Sequence, residues 1–180
     1  MRNLVILSAL IAIGSASHAA PPEVPSEAPY IVLSDNLDEP NGYGFCLDTS
    51  GPGRSDLMQT HSCKPAAEGE PRDYAGNDTR FLYDAATGRI ASYAFEGMCL
   101  QVLRARDETA FGLLECSDHP RQEIIYESGD QTLRLGEDPD LCLGVAPETV
   151  PAGPWVKRSL VLERCDRLED ALKQWTVVSQ

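Results

Sequence analysis

Six cysteines are the residues whose type and spacing bear most directly on chemistry. They occupy a frame that occurs three times, in which a Cys-Leu pair opens a short apolar run and a second cysteine closes the frame 17 to 23 residues later. An even number of cysteines is typical of disulfides in an exported protein, whereas zinc sites favour cysteine or histidine pairs a few residues apart. If each frame is one supersecondary element of a repeat, the disulfides are Cys46–Cys63, Cys99–Cys116 and Cys142–Cys165.

Motifs for catalysis are not found in the sequence. It contains no nucleophile elbow, no glycine-rich phosphate loop and no His-Glu metal motif. After residue 19 the only histidines are His61 and His119, and His119 lies in a predicted loop where solvent would surround it. Acidic pairs such as Glu137-Asp138 are adjacent in sequence, a spacing that does not make two carboxylates converge on a glycosidic bond. We therefore expect a protein that is not an enzyme and that holds no cofactor or metal.

The first 19 residues are typical of a secretory signal peptide. Arg2 supplies an early positive charge, the stretch 4–14 is mostly apolar, and Ser17-His18-Ala19 supplies small residues before a cut after Ala19. The apolar stretch is short for a membrane span, so a retained anchor is the weaker alternative. The sequence predicts a secreted or periplasmic protein without membrane insertion.

The charge of the chain is strongly acidic. It carries 15 Lys+Arg against 28 Asp+Glu, for a formal net charge of −13. Such a surface repels phosphate backbones, so nucleic acid is not an expected partner. Solubility is the simplest interpretation of this acidity.

One all-β domain is predicted after a proline-rich leader. Residues 20–29 hold four prolines and are expected to be extended and mobile. From residue 30 to 180, short apolar runs rich in β-branched and aromatic residues alternate with Gly, Pro, Asp and Asn, which is typical of strands and turns. Twelve strands are predicted: 31–33, 44–48, 57–61, 81–84, 90–93, 98–102, 111–114, 124–127, 132–135, 141–145, 160–163 and 175–178.

Three predicted loops are longer than the repeat requires, at 64–78, 104–109 and 147–158. Long loops on a rigid scaffold often bind ligands, although surface loops also tolerate insertion at small entropic cost. The third loop contains Trp155, which is expected either to contact a ligand or to pack on the domain as a lid.

Three four-stranded units with cysteines in phase resemble the ricin B-chain-type β-trefoil lectins. That family has a Gln-any-Trp signature after the second cysteine of each repeat. Here Lys173-Gln174-Trp175 keeps the Trp, Gln122-Glu123-Ile124 keeps the Gln, and Thr79-Arg80-Phe81 keeps only an aromatic. The resemblance covers residues 31–180 and implies a β-trefoil. Phe81, Ile124 and Trp175 would point inward and build a threefold core, with roughly 1.5–3 kcal/mol from burying each side chain.

The resemblance also implies where a sugar would bind. In this family an acid just after the first cysteine accepts hydrogen bonds from sugar hydroxyls, an aromatic before the second cysteine stacks on the ring, and a Gln and an Asn complete the set. In the first repeat these positions hold Asp48, Gln59 and His61, with Asp78 or Asn77 near the signature. The alternative for Asp48 is a turn cap on the N–H groups near residues 50 and 51.

The other two repeats have lost these residues. The corresponding positions read Gln101, Gly112 and Leu114 in the second repeat, and Gly144, Val161 and Glu163 in the third. Two functions from different classes therefore remain open. One is a secreted carbohydrate-binding protein with at most one weak sugar site, in the first repeat. The other is a degenerate trefoil that binds protein, as an accessory subunit of a toxin-like or envelope assembly.

Overall fold

The fold is built from short antiparallel strands, seen here in a computed structural model that describes residues 20–50, 57–66, 69–72, 74–104 and 111–179. The predicted signal peptide and most of the predicted 104–109 loop lie outside these residues. No α-helix occurs in the described ranges. The strands in these ranges are β1 (Tyr30–Leu33), β2 (Phe45–Thr49), β3 (Met58–Ser62), β4 (Phe81–Asp84), β5 (Arg89–Ser92), β6 (Met98–Val102), β7 (Phe111–Glu115), β8 (Ile124–Glu127), β9 (Thr132–Leu135), β10 (Asp138–Val145), β11 (Val150–Ala152), β12 (Trp155–Arg158), β13 (Leu160–Arg164) and β14 (Trp175–Val178).

Three sheets share one internal order, as a threefold repeat requires. The strands pair as β4-β5-β6-β7, as β8-β9-β10-β13 and as β14-β1-β2-β3, all antiparallel. The last sheet closes the molecule, since its outer strand β14 comes from the end of the chain and pairs with β1 from its beginning. The prediction of an all-β protein with three pseudo-repeats is confirmed.

The core lies where the three sheets meet. Phe81, Ile124 and Trp175 begin the equivalent strands β4, β8 and β14, and each is fully buried, as predicted. Two tyrosines link the sheets. The Tyr83 hydroxyl accepts a hydrogen bond of 2.9 Å from the Tyr126 backbone N–H, and the Tyr126 hydroxyl donates one of 3.0 Å to the Trp175 carbonyl.

Each repeat is closed by one disulfide. The bonds are Cys46–Cys63, Cys99–Cys116 and Cys142–Cys165, the pairs expected from the repeat. Each joins a strand to the residue just after the strand paired with it: β2 with β3, β6 with β7 and β10 with β13.

All twelve predicted strands are present, and the described residues form one further hairpin, which brings the number of strands to fourteen. The extra strands β11 and β12 occupy most of the predicted 147–158 loop, and β12 extends the first-repeat sheet by pairing with β3. Trp155 contacts the domain through Tyr43, with 6.0 Å between the ring centroids. The pairing partner lies more than 90 residues away in sequence, which is why local pattern indicated only a loop.

The leader is extended, but the expectation that it is mobile is at odds with its contacts. The Glu23 N–H donates to the Gly42 carbonyl at 2.7 Å, and the Glu27 N–H donates to the Ala66 carbonyl at 3.0 Å. Pro22 lies so close to Gly44 that a Cβ there would meet it at 2.4 Å, and Gly44 also has a φ of +77°. The leader therefore packs as part of the domain.

Candidate functional site

The four predicted sugar-contact residues come together in the first repeat. Asp48 is directly opposite Gln59 on paired strands β2 and β3, and His61 lies two residues further along β3. Because side chains alternate across a strand, these three lie on one face of the sheet. Asp78 reaches the same place from the 3₁₀ turn Ala75–Thr79. All four side chains are buried.

A lysine that sequence reasoning missed links the two acids. Lys64 Nζ lies 2.8 Å from Asp78 Oδ1 and 3.4 Å from both carboxylate oxygens of Asp48. Gln59 Nε2 also donates to Asp48 Oδ2 at 3.4 Å. Lys64 directly follows Cys63. The repeat predicts that Asp48 and Asp78 come close together, and a lysine located between them in the sequence is the signal that could have identified it. One ammonium group thus serves two buried carboxylates.

Burial and this shortage of positive charge raise the pKa of both acids. For Asp48, desolvation raises the pKa and the charge of Lys64 opposes it. For Asp78, desolvation together with the negative charge of Asp48 raises the pKa to about 6, against the lowering by Lys64 and His61. The cluster therefore takes up a proton in mildly acidic solution.

Changing Asp78 to Asn should make this proton visible in the stability of the protein. The folded pKa of about 6 lies above the unfolded value of 3.8, so the stability contributed by protonated Asp78 is complete below pH 4 and is lost as the pH rises through 6. The free energy of unfolding of Asp78→Asn minus that of the wild type should increase by about 3 kcal/mol between pH 3.5 and pH 7.5. Urea denaturation across this range measures the difference.

Asp130→Asn is the control of opposite sign. Hydrogen bonds from Thr132 lower the pKa of Asp130, so its contribution is present at neutral pH and is lost as the pH falls. Curves for Asp78→Asn and the wild type that run parallel at every pH would mean that folding does not change the pKa of Asp78, and would contradict the prediction.

His61 enters the site as a neutral ring. Its Nδ1 lies 2.9 Å from the Ser62 carbonyl, and a carbonyl can only accept, so Nδ1 carries the proton and Nε2 is left as an acceptor. Burial lowers the pKa of His61, which favours the uncharged form. The ring thus adds an acceptor and a flat surface without adding charge.

These side chains line a pocket of about 360 Å³. Its walls combine the residues of the first repeat with Ala152 and Lys157 from the β11–β12 hairpin, and the lining residues are Asp48, Gln59, His61, Lys64, Ala75, Asp78, Ala152 and Lys157. The hairpin that local pattern missed is thus one wall of the pocket. Acceptor groups at one end and small apolar side chains beside them suit a polar ring compound with several hydroxyls.

The equivalent places in the other repeats are filled by the protein itself. In the second repeat the Gln101 side chain accepts a 3.0 Å hydrogen bond from Gln122 Nε2. In the third, a Cβ on Gly144 would lie 2.7 Å from Leu168 Cδ1 and 2.8 Å from the Leu172 carbonyl oxygen. A residue larger than glycine at position 144 would therefore clash with this backbone.

The signature residues that remain act within the fold. Gln122 donates to the Glu115 carbonyl at 2.9 Å and accepts from the Ser117 N–H at 2.8 Å. Lys173 donates to the carbonyls of Cys165 and Leu168, at 2.8 and 3.0 Å. The lysine in place of glutamine thus ties down the turn after the third disulfide much as Gln122 does after the second.

Comparisons with known proteins identify the fold. No family model and no curated relative matches the chain. Among solved structures, the earthworm R-type lectin C-half in complex with GalNAc has a TM-score of 0.56 at 12% identity, covering 85% of this chain and 100% of that one. The earthworm lectin C-terminal domain mutant in complex with 6'-sialyllactose has a TM-score of 0.54 at 15% identity, with the same coverage. A chain of the Haemophilus ducreyi cytolethal distending toxin has a TM-score of 0.54 at 14% identity, covering 83% of this chain and 81% of that one. The chain has the ricin B-type lectin fold.

Proposed function

We propose that this protein binds carbohydrate through one site, the first-repeat pocket, and that it is exported by the signal peptide of residues 1–19. The observation that carries the proposal is the convergence of Asp48, Gln59, His61 and Asp78 on one pocket, while the equivalent places in the other repeats are filled. The same fold is found in the earthworm lectin domains, whose structures hold GalNAc and 6'-sialyllactose.

The pocket offers what sugar hydroxyls need. A carboxylate only accepts hydrogen bonds, so Asp48 and Asp78 would orient neighbouring hydroxyl groups. Lys64 holds both carboxylates at fixed positions and stabilises their charge. His61 supplies a neutral ring against which apolar C–H groups would pack. We expect weak binding, because the sugar hydroxyls exchange hydrogen bonds to water for hydrogen bonds to the protein and only one site is present.

Binding without hydrolysis is the form of the proposal that this geometry supports. In a glycosidase the scissile bond lies between two carboxyl groups. Here the ammonium of Lys64 lies between the carboxylates of Asp48 and Asp78 and contacts both.

Asp48→Ala tests the site directly. A glycan array identifies a ligand, and titration calorimetry should then give one site per chain for the wild type. Removing Asp48 deletes an acceptor for the sugar hydroxyls, and Lys64 then pairs with Asp78 only. The affinity should therefore fall about 10- to 100-fold, the equivalent of roughly 1.5–3 kcal/mol. For a weak ligand that loss takes binding below detection.

Gln101→Ala is the matched control, since Gln101 holds the equivalent position in the second repeat. It should bind sugar as the wild type does. Equal binding by Asp48→Ala and the wild type would exclude this pocket as the site.

A protein partner is the second candidate function, for an accessory subunit of a toxin-like or envelope assembly. Two observations favour it: the likeness to a chain of the cytolethal distending toxin, and the outermost strand β11, where Val150 is 46% exposed. The glycan array separates the two functions. Absence of any glycan hit, together with a one-to-one complex with a protein from the same cell surface, would favour the partner.

A further inference from the structure

Lys157 is a cation in the pocket that no carboxylate of the described residues neutralises. The other two lysines of the chain each pair with a carboxylate: Lys64 with Asp48 and Asp78, and Lys173 with Asp170 at 3.0 Å. Within the described residues, Lys157 has no carboxylate within ion-pair distance and no side-chain hydrogen bond. Yet it lines the pocket from the β12 side.

The register of the strands fixes where this cation lies. Lys157 is directly opposite His61 across the β12–β3 pair, so the two side chains share a face and are neighbours. Its charge is felt there, since it is one of the causes that lower the pKa of His61. The hairpin contributes two residues to the described lining of the pocket, Ala152 and Lys157, and Lys157 is the charged one.

The charges of the pocket are thus divided into two parts. At one end, Lys64 is shared by Asp48 and Asp78, and hydroxyl groups would find acceptors there. In the hairpin wall, Lys157 offers three N–H donors and a full positive charge. His61 between them is neutral. A neutral sugar would form hydrogen bonds with the two carboxylates, while the ammonium group of Lys157 would remain hydrated.

We propose that the pocket selects an acidic sugar, one whose carboxylate or sulfate pairs with Lys157 while its hydroxyls bond to Asp48 and Asp78. This inference rests on the proposed sugar binding and names the class of ligand. The net charge of −13 opposes an anion only weakly at this range, because exposed charges beyond about 8 Å are screened at physiological salt. Recognition of the acid comes from the third repeat, through the hairpin, and recognition of the hydroxyls comes from the first.

Matched monosaccharides test the inference. Galactose, galacturonic acid and galactose 6-sulfate share their ring hydroxyls and differ in the charge at C6, and glucose, glucuronic acid and glucose 6-sulfate form a second series. Titration of the isotope-labelled full chain, followed by amide chemical shifts, measures weak dissociation constants. In at least one series an acidic sugar should bind about fivefold or more tightly than its neutral parent, as expected for one partly exposed ion pair. The carboxylate and sulfate arms show which anion is preferred.

Variants of Lys157 assign the preference to its charge. Lys157→Gln should abolish the preference, so that the acidic and the neutral sugar bind this variant equally, whereas Lys157→Arg should keep the preference. Arg167→Gln removes one exposed charge of the third repeat without touching the pocket and should leave the preference unchanged. If Arg167→Gln lowered the preference as much as Lys157→Gln does, the preference would come from the net charge of the protein, and the inference would be overturned.

The failure of this inference is distinguishable from the failure of the proposed function. Neutral and acidic sugars that bind equally well to the wild type would overturn the selection by Lys157 and leave the sugar site standing. Absence of binding in both series and on a broad glycan array would overturn both.

Discussion

Reduction of the three disulfides should unfold this protein at 25 °C. Each bond closes a loop of 17 or 23 residues, which in the chain-entropy model is worth about 3 kcal/mol. Three such contributions are comparable to the whole stability of a typical domain, about 5–15 kcal/mol. The described residues form only short strands and 3₁₀ turns, so the apolar core where the three sheets meet has to supply the rest of the stability.

Circular dichroism with and without reductant measures this effect. Near-ultraviolet signal and cooperative urea unfolding should both disappear on reduction. Replacing one pair at a time by alanine should lower the free energy of unfolding by about 3 kcal/mol per pair.

Removal of Cys46 and Cys63 should also impair sugar binding, because these cysteines lie two residues from Asp48 and His61. Removal of Cys142 and Cys165 should not impair it. A reduced protein that still unfolds cooperatively at the same urea concentration would contradict the prediction.

The repeat is the reason that so much of the fold could be predicted from sequence. A threefold pattern of cysteines and apolar runs fixes the register of all three units at once, since a slip of one residue would turn every core side chain to solvent. Phe81, Ile124 and Trp175 were therefore identified as core although each signature is incomplete. The same phasing located Asp48, Gln59 and His61 on one face.

The repeat could not predict the features that occur in only one of the three units. The β11–β12 hairpin is an insertion in one unit only, and its strands are short, contain Pro151 and turn at Gly153 with a φ of +66°. Its strand conformation depends on pairing with β3, and no local pattern reports that. Lys64 and Lys157 were missed for the same reason: a lysine is ordinary on a surface and acquires a role only through partners brought near by the fold.

The charges of the pocket follow from combining the frame that the three units repeat with these departures. The frame brings Asp48 and Asp78 together at a buried place, where two carboxylates would repel each other. Lys64, from the loop after Cys63, offsets part of that repulsion and leaves Asp78 with a raised pKa. Lys157, from the inserted hairpin, adds a separate positive charge. Specificity in this protein is therefore expected to depend on the loops, while the proposed acceptors for sugar hydroxyls come from the frame.

Trp175→Ala should be the most destabilising single substitution in the core. Trp175 is the largest fully buried side chain, and it lies where the last strand of the chain closes the first sheet. Truncating a buried aromatic costs about 3–5 kcal/mol through lost burial and the cavity that remains. The indole Nε1–H also donates to the Leu143 carbonyl at 2.9 Å, so the variant leaves a buried acceptor without this donor.

Two further variants separate these contributions. Trp175→Phe keeps an aromatic ring and loses only the Leu143 hydrogen bond and part of the volume, so its loss should be smaller than that of Trp175→Ala. Trp155→Ala is the matched control, because Trp155 is half-buried on the hairpin, and it should cost less than about 1–2 kcal/mol. Urea denaturation followed by far-ultraviolet circular dichroism compares all three without depending on tryptophan fluorescence. Because β14 pairs with β1 along its whole length, loss of Trp175 should weaken the closure of the entire trefoil and not one repeat alone. Equal losses for Trp155→Ala and Trp175→Ala would mean that the core does not centre on the three signature positions.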